Sequence, residues 1–288
     1  ETVVQHRSTA GRLYVFASDC GSIARDEHRG VIGVRLLGLA RLHAIAKAAK
    51  LRIRRYSPSS VWDHRERLAF YSQFIKEGDL CFDVGANVGN ITAIFLELGA
   101  RVVCIEPQEF CLQHLYERWG NREDVIIVGK AVGAGEGYSE LFICEDAPTI
   151  STISAKWKNE GRFSQYHNWT KRQRVPMTTL DALIQLYGSP TFCKIDVEGF
   201  EQSVLQGLTR PIPSISFEFT REFFDDAKKC ISHLGSIGPV EFNCSLGESM
   251  KLLFPTWITP DELYGMLDSI DDELLWGDIY AKFLQGMS

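Results

Sequence analysis

The sequence predicts an α/β fold built on one open, mostly parallel sheet with helices on both faces. Three stretches carry that expectation. Residues 80–90 read L-C-F-D-V-G-A-N-V-G-N, a short β-favouring run closed by an acid and followed by a glycine-rich turn; residues 91–98 then follow with apolar helical spacing. Residues 101–106, R-V-V-C-I-E, are a second short strand ending on an acid. Residues 191–199, T-F-C-K-I-D-V-E-G, are a third, running into an amphipathic helix over 200–208. Strand, glycine turn and helix in this order open a Rossmann-type nucleotide site.

Within the turn, Gly85 and Gly89 let the backbone bend sharply and leave no Cβ between the loop and a ligand lying across it. Asn90 is suited to cap the helix, whose unpaired N–H groups would then face an anionic group. Asn87 stands where a dinucleotide fingerprint has its second glycine, which counts against NAD. Glu106 follows the loop by roughly 20 residues, where a ribose-binding carboxylate belongs, and Pro107 ends its strand.

Taken together, F-D-V-G-A-N-V-G-N at 82–90, C-I-E-P at 104–107 and K-I-D-V-E-G-F-E-Q-S-V-L-Q-G-L at 194–208 resemble the FkbM family of S-adenosylmethionine-dependent methyltransferases. The likeness runs from about Phe70 to the C-terminus. It implies a class I methyltransferase fold: a seven-stranded, mostly parallel sheet whose last strand is antiparallel. It also implies S-adenosylmethionine as cofactor and, usually, methylation of a hydroxyl oxygen. On the cofactor side it places Asp83 near the methionine ammonium or the loop, Gly85 and Gly89 making room, Asn87 on the amino-acid end and Glu106 on both ribose hydroxyls.

Composition is that of an ordinary soluble globular protein. The chain has 288 residues, 45% hydrophobic and 24% charged, enough for a sizeable core. A net charge of -6 argues against nucleic-acid backbone as the main partner. The eight cysteines are scattered with no C-x-x-C pair, so free thiols in a reducing cytosol are the simplest account. A cytoplasmic protein is expected, and no stretch has eighteen uninterrupted apolar residues.

In chain order, residues 1–57 read as an N-terminal extension and 58–288 as the catalytic domain. Residues 1–30 carry no motif. Residues 31–56 approximate a basic amphipathic helix, which either packs on the domain or contacts an anionic membrane surface peripherally. Residues 61–75 read as a helix whose Trp62, Leu68, Phe70 and Phe74 pack in the core. Helices are expected over 110–119, 180–187 with Thr179 as cap, 223–234 and 260–270; strands over 125–129, 139–144, 213–220, 239–244 and 278–283. Lys130, Ala131 and Val132 follow the third strand, where an adenine would lie; Lys130 either contacts it or is solvated.

Residues 133–176 are long for a connection and read as a strand followed by irregular chain. Trp157, Phe163, Tyr166, His167 and Trp169 alternate there with Lys156, Lys158, Arg162, Lys171, Arg172 and Arg174. This is the candidate acceptor lid. Its pattern suits a sugar ring or an anionic small molecule, with single-stranded nucleic acid disfavoured by the acidic balance.

Strand four offers Asp196 and Glu198, and strand five offers Glu218, at the carboxyl edge where ligands of open sheets sit. Methyl transfer is an in-line displacement that chiefly needs the acceptor aligned, helped by a base that takes its proton. Asp196 is the first choice of base, Glu198 its neighbour and His167 a mobile candidate from the lid. Two alternatives use the same carboxylates. Asp196, Glu198 and Glu218 can ligate Mg²⁺, or Asp196 and Glu198 merely cap the next helix while Lys194 pairs with one of them. An N- or RNA methyltransferase and a non-catalytic adaptor on the same fold are the competing functions.

Overall fold

The computed structural model describes residues 60–284, which fall within one compact unit, Ser59–Ser288. The expected boundary at 57/58 and the basic helix over 31–56 lie outside the described residues. So do residues 1–30 and the side chain of Trp62.

Two sheets form. The larger contains β1 (Leu80–Val84), β2 (Arg101–Ile105), β3 (Val125–Val128), β7 (Phe192–Ile195), β8 (Ser214–Thr220), β9 (Val240–Leu246) and β10 (Trp276–Phe283), in the order β3-β2-β1-β7-β8-β10-β9. The first five of that order pair in parallel, while β10 runs antiparallel to both β8 and β9. This is the class I methyltransferase sheet. Central strands read as near-continuous apolar runs because both faces are covered: every residue of β1 and β7 is buried.

Helices supply the two coverings. On one face, α1 (Ser60–Tyr71), α2 (Asn90–Glu97) and α3 (Glu109–Trp119) pack Phe70, Tyr71, Phe95, Leu115 and Trp119 on Cys81, Val102, Cys104, Phe192 and Tyr280. The Phe74 ring lies parallel to Tyr280 at 5.3 Å, as expected of a core aromatic. On the other face, α5 (Leu180–Tyr187), α6 (Glu201–Gln206), α7 (Phe224–Ile237) and α8 (Pro260–Ser269) pack on Phe82, Val84, Ile105, Ile195, Ile215 and Phe217. Thr179 caps α5, accepting from the Ala182 N–H, and Thr259 forms a capping box with Glu262 on α8. No described helix is long and apolar enough to cross a membrane.

The stretch 133–176 is more ordered than expected. β5 (Gly137–Ile143) pairs antiparallel with β6 (Lys171–Thr178), and β4 (Ala131–Val132) adds to the far side of β6. Between them lie a 3₁₀ turn, Pro148–Ile150, and α4 (Ala155–Glu160), capped by Ser154. Pro176 sits in β6 opposite Tyr138 of β5, at a position that β4, pairing only with Met177 and Thr178, does not reach.

Candidate active site

Chain order reverses between β1 and β7, so the crevice beyond their carboxyl ends is the place for a ligand. On the β1 side the loop is held by buried acids. Asp83, 2% exposed, accepts from the Thr92 hydroxyl at 2.6 Å, which ties strand to helix; burial pushes its pKa up to about 6 against that bond. Glu106 follows β2 and is 6% exposed. Its two oxygens accept from the N–H groups of Gln108 and Asn87, each at 2.8 Å, and burial still pushes its pKa up to about 7. The carboxylate is thereby aimed at the glycine loop.

The loop residues also serve the protein's own packing. Gly85 and Gly89 both have positive φ, 82° and 81°, and protein atoms fill the space where a Cβ would stand. A Cβ at Gly85 would meet the Asp196 carbonyl, and one at Gly89 would meet the Trp119 ring at 2.0 Å. They make room for the neighbouring strand end and helix. Asn87, at φ 51°, spends its side-chain oxygen on the Val88 N–H at 2.7 Å, since a left-handed residue followed by a tight turn leaves that donor within local reach. Asn90 is the first helical residue and exposed; the cap position is Gly89, with no side-chain bond. The Ala131 side chain is buried with Leu141 and Val175 in the small sheet's own core.

On the β7 side, Lys194 is buried inside the strand, its ammonium 3.1 Å from Asp196 and 3.7 Å from Asp278. Burial alone would lower its pKa. The two carboxylates outweigh burial and hold its pKa well above the ordinary lysine value. Register explains the meeting: Lys194 pairs with Asp83 on one side and Ser216 on the other, and Ser216 with Tyr280, so Asp196, Glu218 and Asp278 lie one step further along the same face. Asp278 is absent from the expected site, and its position after Gly277 near the chain's end gives no local signal.

Past β7, Asp196, Glu198 and Glu218 bring carboxylate oxygens within 4.8 Å of one another, as the sequence suggested. Glu198 has φ 55° and is 5% exposed. The N-cap position of α6 is Phe200, with no side-chain cap bond, and Glu201, the first residue of the helix, accepts from the N–H groups of Val197 and Gly199 in the preceding turn at 3.2 Å. Burial pushes the Glu201 pKa up to about 7. His167 stands in a different cluster. Its Nδ1 lies 2.8 Å from Asp146, which also accepts from the Cys144 thiol at 3.0 Å.

The insert is fastened on both sides of the crevice. The Gln173 amide donates to the Pro107 carbonyl at 2.9 Å, just past Glu106. Thr152 donates to the Glu198 carbonyl at 2.7 Å, and Trp157 fills the space beside Gly199, where a Cβ would stand 2.9 Å from it. Arg162 forks onto Glu222 at 2.7 and 2.5 Å and also donates to the carbonyls of Leu274 and Leu275. Part of the aromatic and basic alternation is spent internally: Lys158 and Arg172 flank the Phe142 ring, and Arg174 lies 4.1 Å from Tyr138.

The family model described as the methyltransferase FkbM domain matches residues 83–237, more than half of the chain and every element from Asp83 through α7. The chain belongs to the FkbM methyltransferase family. Within curated proteins, this FkbM chain is 25% identical over 144 residues to a hexuronic acid methyltransferase, AglP, of Haloferax volcanii. That match covers 49% of this chain and 55% of the relative, so it spans about half of the relative's length. Among solved structures, a precorrin-6y C5,15-methyltransferase from Geobacter metallireducens is 11% identical, with 76% of this chain and 86% of that one aligned at a TM-score of 0.41. A TehB-like SAM-dependent methyltransferase from Corynebacterium glutamicum is 10% identical, with 84% and 99% aligned at 0.41.

Proposed function

We propose that this chain uses S-adenosylmethionine to methylate a hydroxyl oxygen on a small molecule or glycan. The observation that carries the reading is Glu106. It is a buried carboxylate at the end of the second strand, each oxygen fixed by one backbone N–H and each keeping a second lone pair for another donor. Such a carboxylate suits the two adjacent hydroxyls of a ribose, and the donor set therefore fits the adenosyl group. Gly85, Gly89 and the Asn87 backbone shape the turn beside it. When bound, the cofactor supplies an electrophilic methyl on a sulfonium.

The chain's own contribution is to hold the acceptor oxygen in line and to receive its proton. Asp196 is the proposed base, kept in place by Lys194 at 3.1 Å. A carbohydrate acceptor is supported by the Haloferax relative being a hexuronic acid methyltransferase. The insert over 133–176, fastened to Pro107 on one side and Glu198 on the other, is the proposed acceptor wall.

The meeting of Asp196, Glu198 and Glu218 within 4.8 Å favours a second reading, in which these three hold Mg²⁺ beside the acceptor hydroxyl and lower its pKa. One set of measurements tests both. Calorimetry with S-adenosylmethionine and with NAD, on the wild type and Glu106→Ala, is expected to show S-adenosylmethionine binding alone and its loss in the variant. Labelled methyl transfer to hydroxylated acceptors is then run with Asp196→Asn and with EDTA. Retained transfer in EDTA selects the base; loss restored by Mg²⁺ selects the metal. Absence of S-adenosylmethionine binding by a folded sample would overturn the function.

A further inference from the structure

The insert carries a second group of chemically able side chains, to which the proposed methyl transfer gives no task. Cys144 follows β5, Asp146 lies two residues on, and His167 lies in the chain leading to β6. The Cys144 sulfur stands 3.0 Å from one oxygen of Asp146, and His167 Nδ1 stands 2.8 Å from the other. All three donors lie within 4.8 Å of one another. A buried cysteine ordinarily behaves as a small apolar group. Cys144 is buried but lies outside all three apolar clusters, and its sulfur meets a carboxylate instead.

Bonds from other groups hold the two chain segments together. Glu145 accepts from the Thr170 hydroxyl at 2.6 Å and pairs with Lys171 at 2.5 Å. The Cys144 N–H donates to the Ser151 hydroxyl at 3.2 Å, and the Trp169 indole donates to the Ile150 carbonyl at 3.0 Å. The His167 N–H donates to the Phe163 carbonyl at 3.1 Å, and the Phe163 ring meets the imidazole edge to face. Burial is graded across the group: the thiol is enclosed, while the His167 and Asp146 side chains are 14% and 59% exposed. The donors are thus anchored on one side and open to solvent on the other, which gives an ion a way in.

We propose that Cys144, Asp146 and His167 bind a zinc ion. Sulfur, imidazole nitrogen and carboxylate oxygen together suit zinc, whereas magnesium and calcium take oxygen donors. Zinc bonds of about 2.0–2.3 Å in a tetrahedron set donors roughly 3.3–3.7 Å apart. Asp146, the most exposed of the three, therefore has to draw back from each partner by less than about 1 Å. The ion takes the place of its two hydrogen bonds. The thiol proton leaves to solvent and the sulfur binds as thiolate, while a water fills the fourth position. The ion joins residue 144 to residue 167 and braces the chain between them, where Thr152 and Trp157 meet Glu198 and Gly199. The inference stands apart from the methyl-transfer reading and from the Mg²⁺ reading at Asp196.

The test uses the full chain, treated with a chelator, dialysed and titrated with Co²⁺ as a spectroscopic stand-in for zinc. One equivalent is expected to bind with a Kd of about 1 μM or tighter. It should bring a thiolate-to-cobalt charge-transfer band in the near ultraviolet and the intense visible bands of four-coordinate cobalt. One equivalent of Zn²⁺ should remove both signals, and millimolar Mg²⁺ should leave them. Cys144→Ser should abolish the charge-transfer band, while His167→Ala and Asp146→Asn should weaken Co²⁺ about 100-fold and about tenfold. Zn²⁺ should raise the melting temperature of the wild type more than that of any of the three variants. Asp196→Asn should leave the cobalt spectrum unchanged, because its carboxylate belongs to the other group. A folded wild type without the thiolate band, or a band that survives in folded Cys144→Ser, overturns the proposal. Should Cys144→Ser not fold, His167→Ala decides: cobalt bound as tightly as by the wild type overturns it equally.

Discussion

A Cβ on Gly85 would stand 1.8 Å from the carbonyl oxygen of Asp196, so the turn after β1 and the end of β7 fill one another's space. The Asp196 N–H donates to the Val84 carbonyl at 2.9 Å, and the Gly85 N–H to Ile105 at 2.9 Å. Three strand ends therefore meet at one residue without a side chain. Gly85→Ala adds backbone contact that no rotamer can relieve, at a φ of 82° that L residues resist. We expect a loss of about 2–4 kcal/mol in urea unfolding together with loss of cofactor binding. A variant within about 0.5 kcal/mol of wild type would show that the strand ends are not packed in this way.

Glu106 gives a pH signature. Its pKa rises from 4.5 in the ordinary carboxyl range to about 7 in the fold, so the native state prefers the protonated form. Its contribution to stability is full below about 4.5 and is lost as pH rises through about 7, by up to about 3 kcal/mol. Glu106→Gln stays neutral, so the difference in melting temperature between variant and wild type should shift in favour of the variant across that window. Ribose hydroxyls need the ionised form as acceptor. S-adenosylmethionine affinity is thus expected to climb with pH towards 7 and then level off, by calorimetry. A flat profile would remove Glu106 from the ribose site.

The sequence showed the central strands and the loop because their causes are local: apolar runs for strands buried on both faces, and glycines where φ must be positive. What it hid is non-local. Lys171, Arg172, Arg174 and Pro176 make β6 look like solvated coil, yet pairing with β4 and β5 leaves Val175 and Thr178 inside. The occupants of the glycine positions, Asp196 and Trp119, come from other parts of the chain. Turn geometry sets the Asn87 side-chain oxygen on the Val88 N–H and makes Gly89, not Asn90, the cap position, and neither is readable from residue type alone. The cluster at Asp196, Glu198 and Glu218 was legible because residues at or just beyond the carboxyl ends of parallel strands converge at one edge; Asp278, on an antiparallel strand, reaches it from the opposite direction.

Lys194 separates scaffold from chemistry. Lys194→Met keeps the length of the side chain and removes the ammonium from between Asp196 and Asp278, whose side chains are 29% and 15% exposed. Breaking a pair of this kind from one side should destabilise the fold by roughly 3 kcal/mol. Adding Asp278→Asn to Lys194→Met removes one stranded charge and should recover a measurable part of the loss. A Lys194→Met protein as stable as wild type would mean that the ammonium does not hold the two acids.

Arg162 tests whether the insert serves the acceptor alone. Its guanidinium binds Glu222 through two nitrogens and the carbonyls of Leu274 and Leu275, and no other described side chain of the insert reaches those carbonyls. Burial by itself would raise the Glu222 pKa, but the guanidinium holds it below the usual value, so the pair is ionised at neutral pH. The other side of the insert, which the proposed function sets beside the cofactor, is fixed separately by Gln173 on Pro107. Arg162→Ala should therefore raise the acceptor KM about tenfold while the S-adenosylmethionine Kd stays within about twofold. Arg162→Lys keeps the charge but loses the planar fork, and should fall between wild type and Arg162→Ala. If cofactor Kd and acceptor KM move together, the insert acts as one rigid piece across the crevice, and the division into a cofactor side and an acceptor side fails.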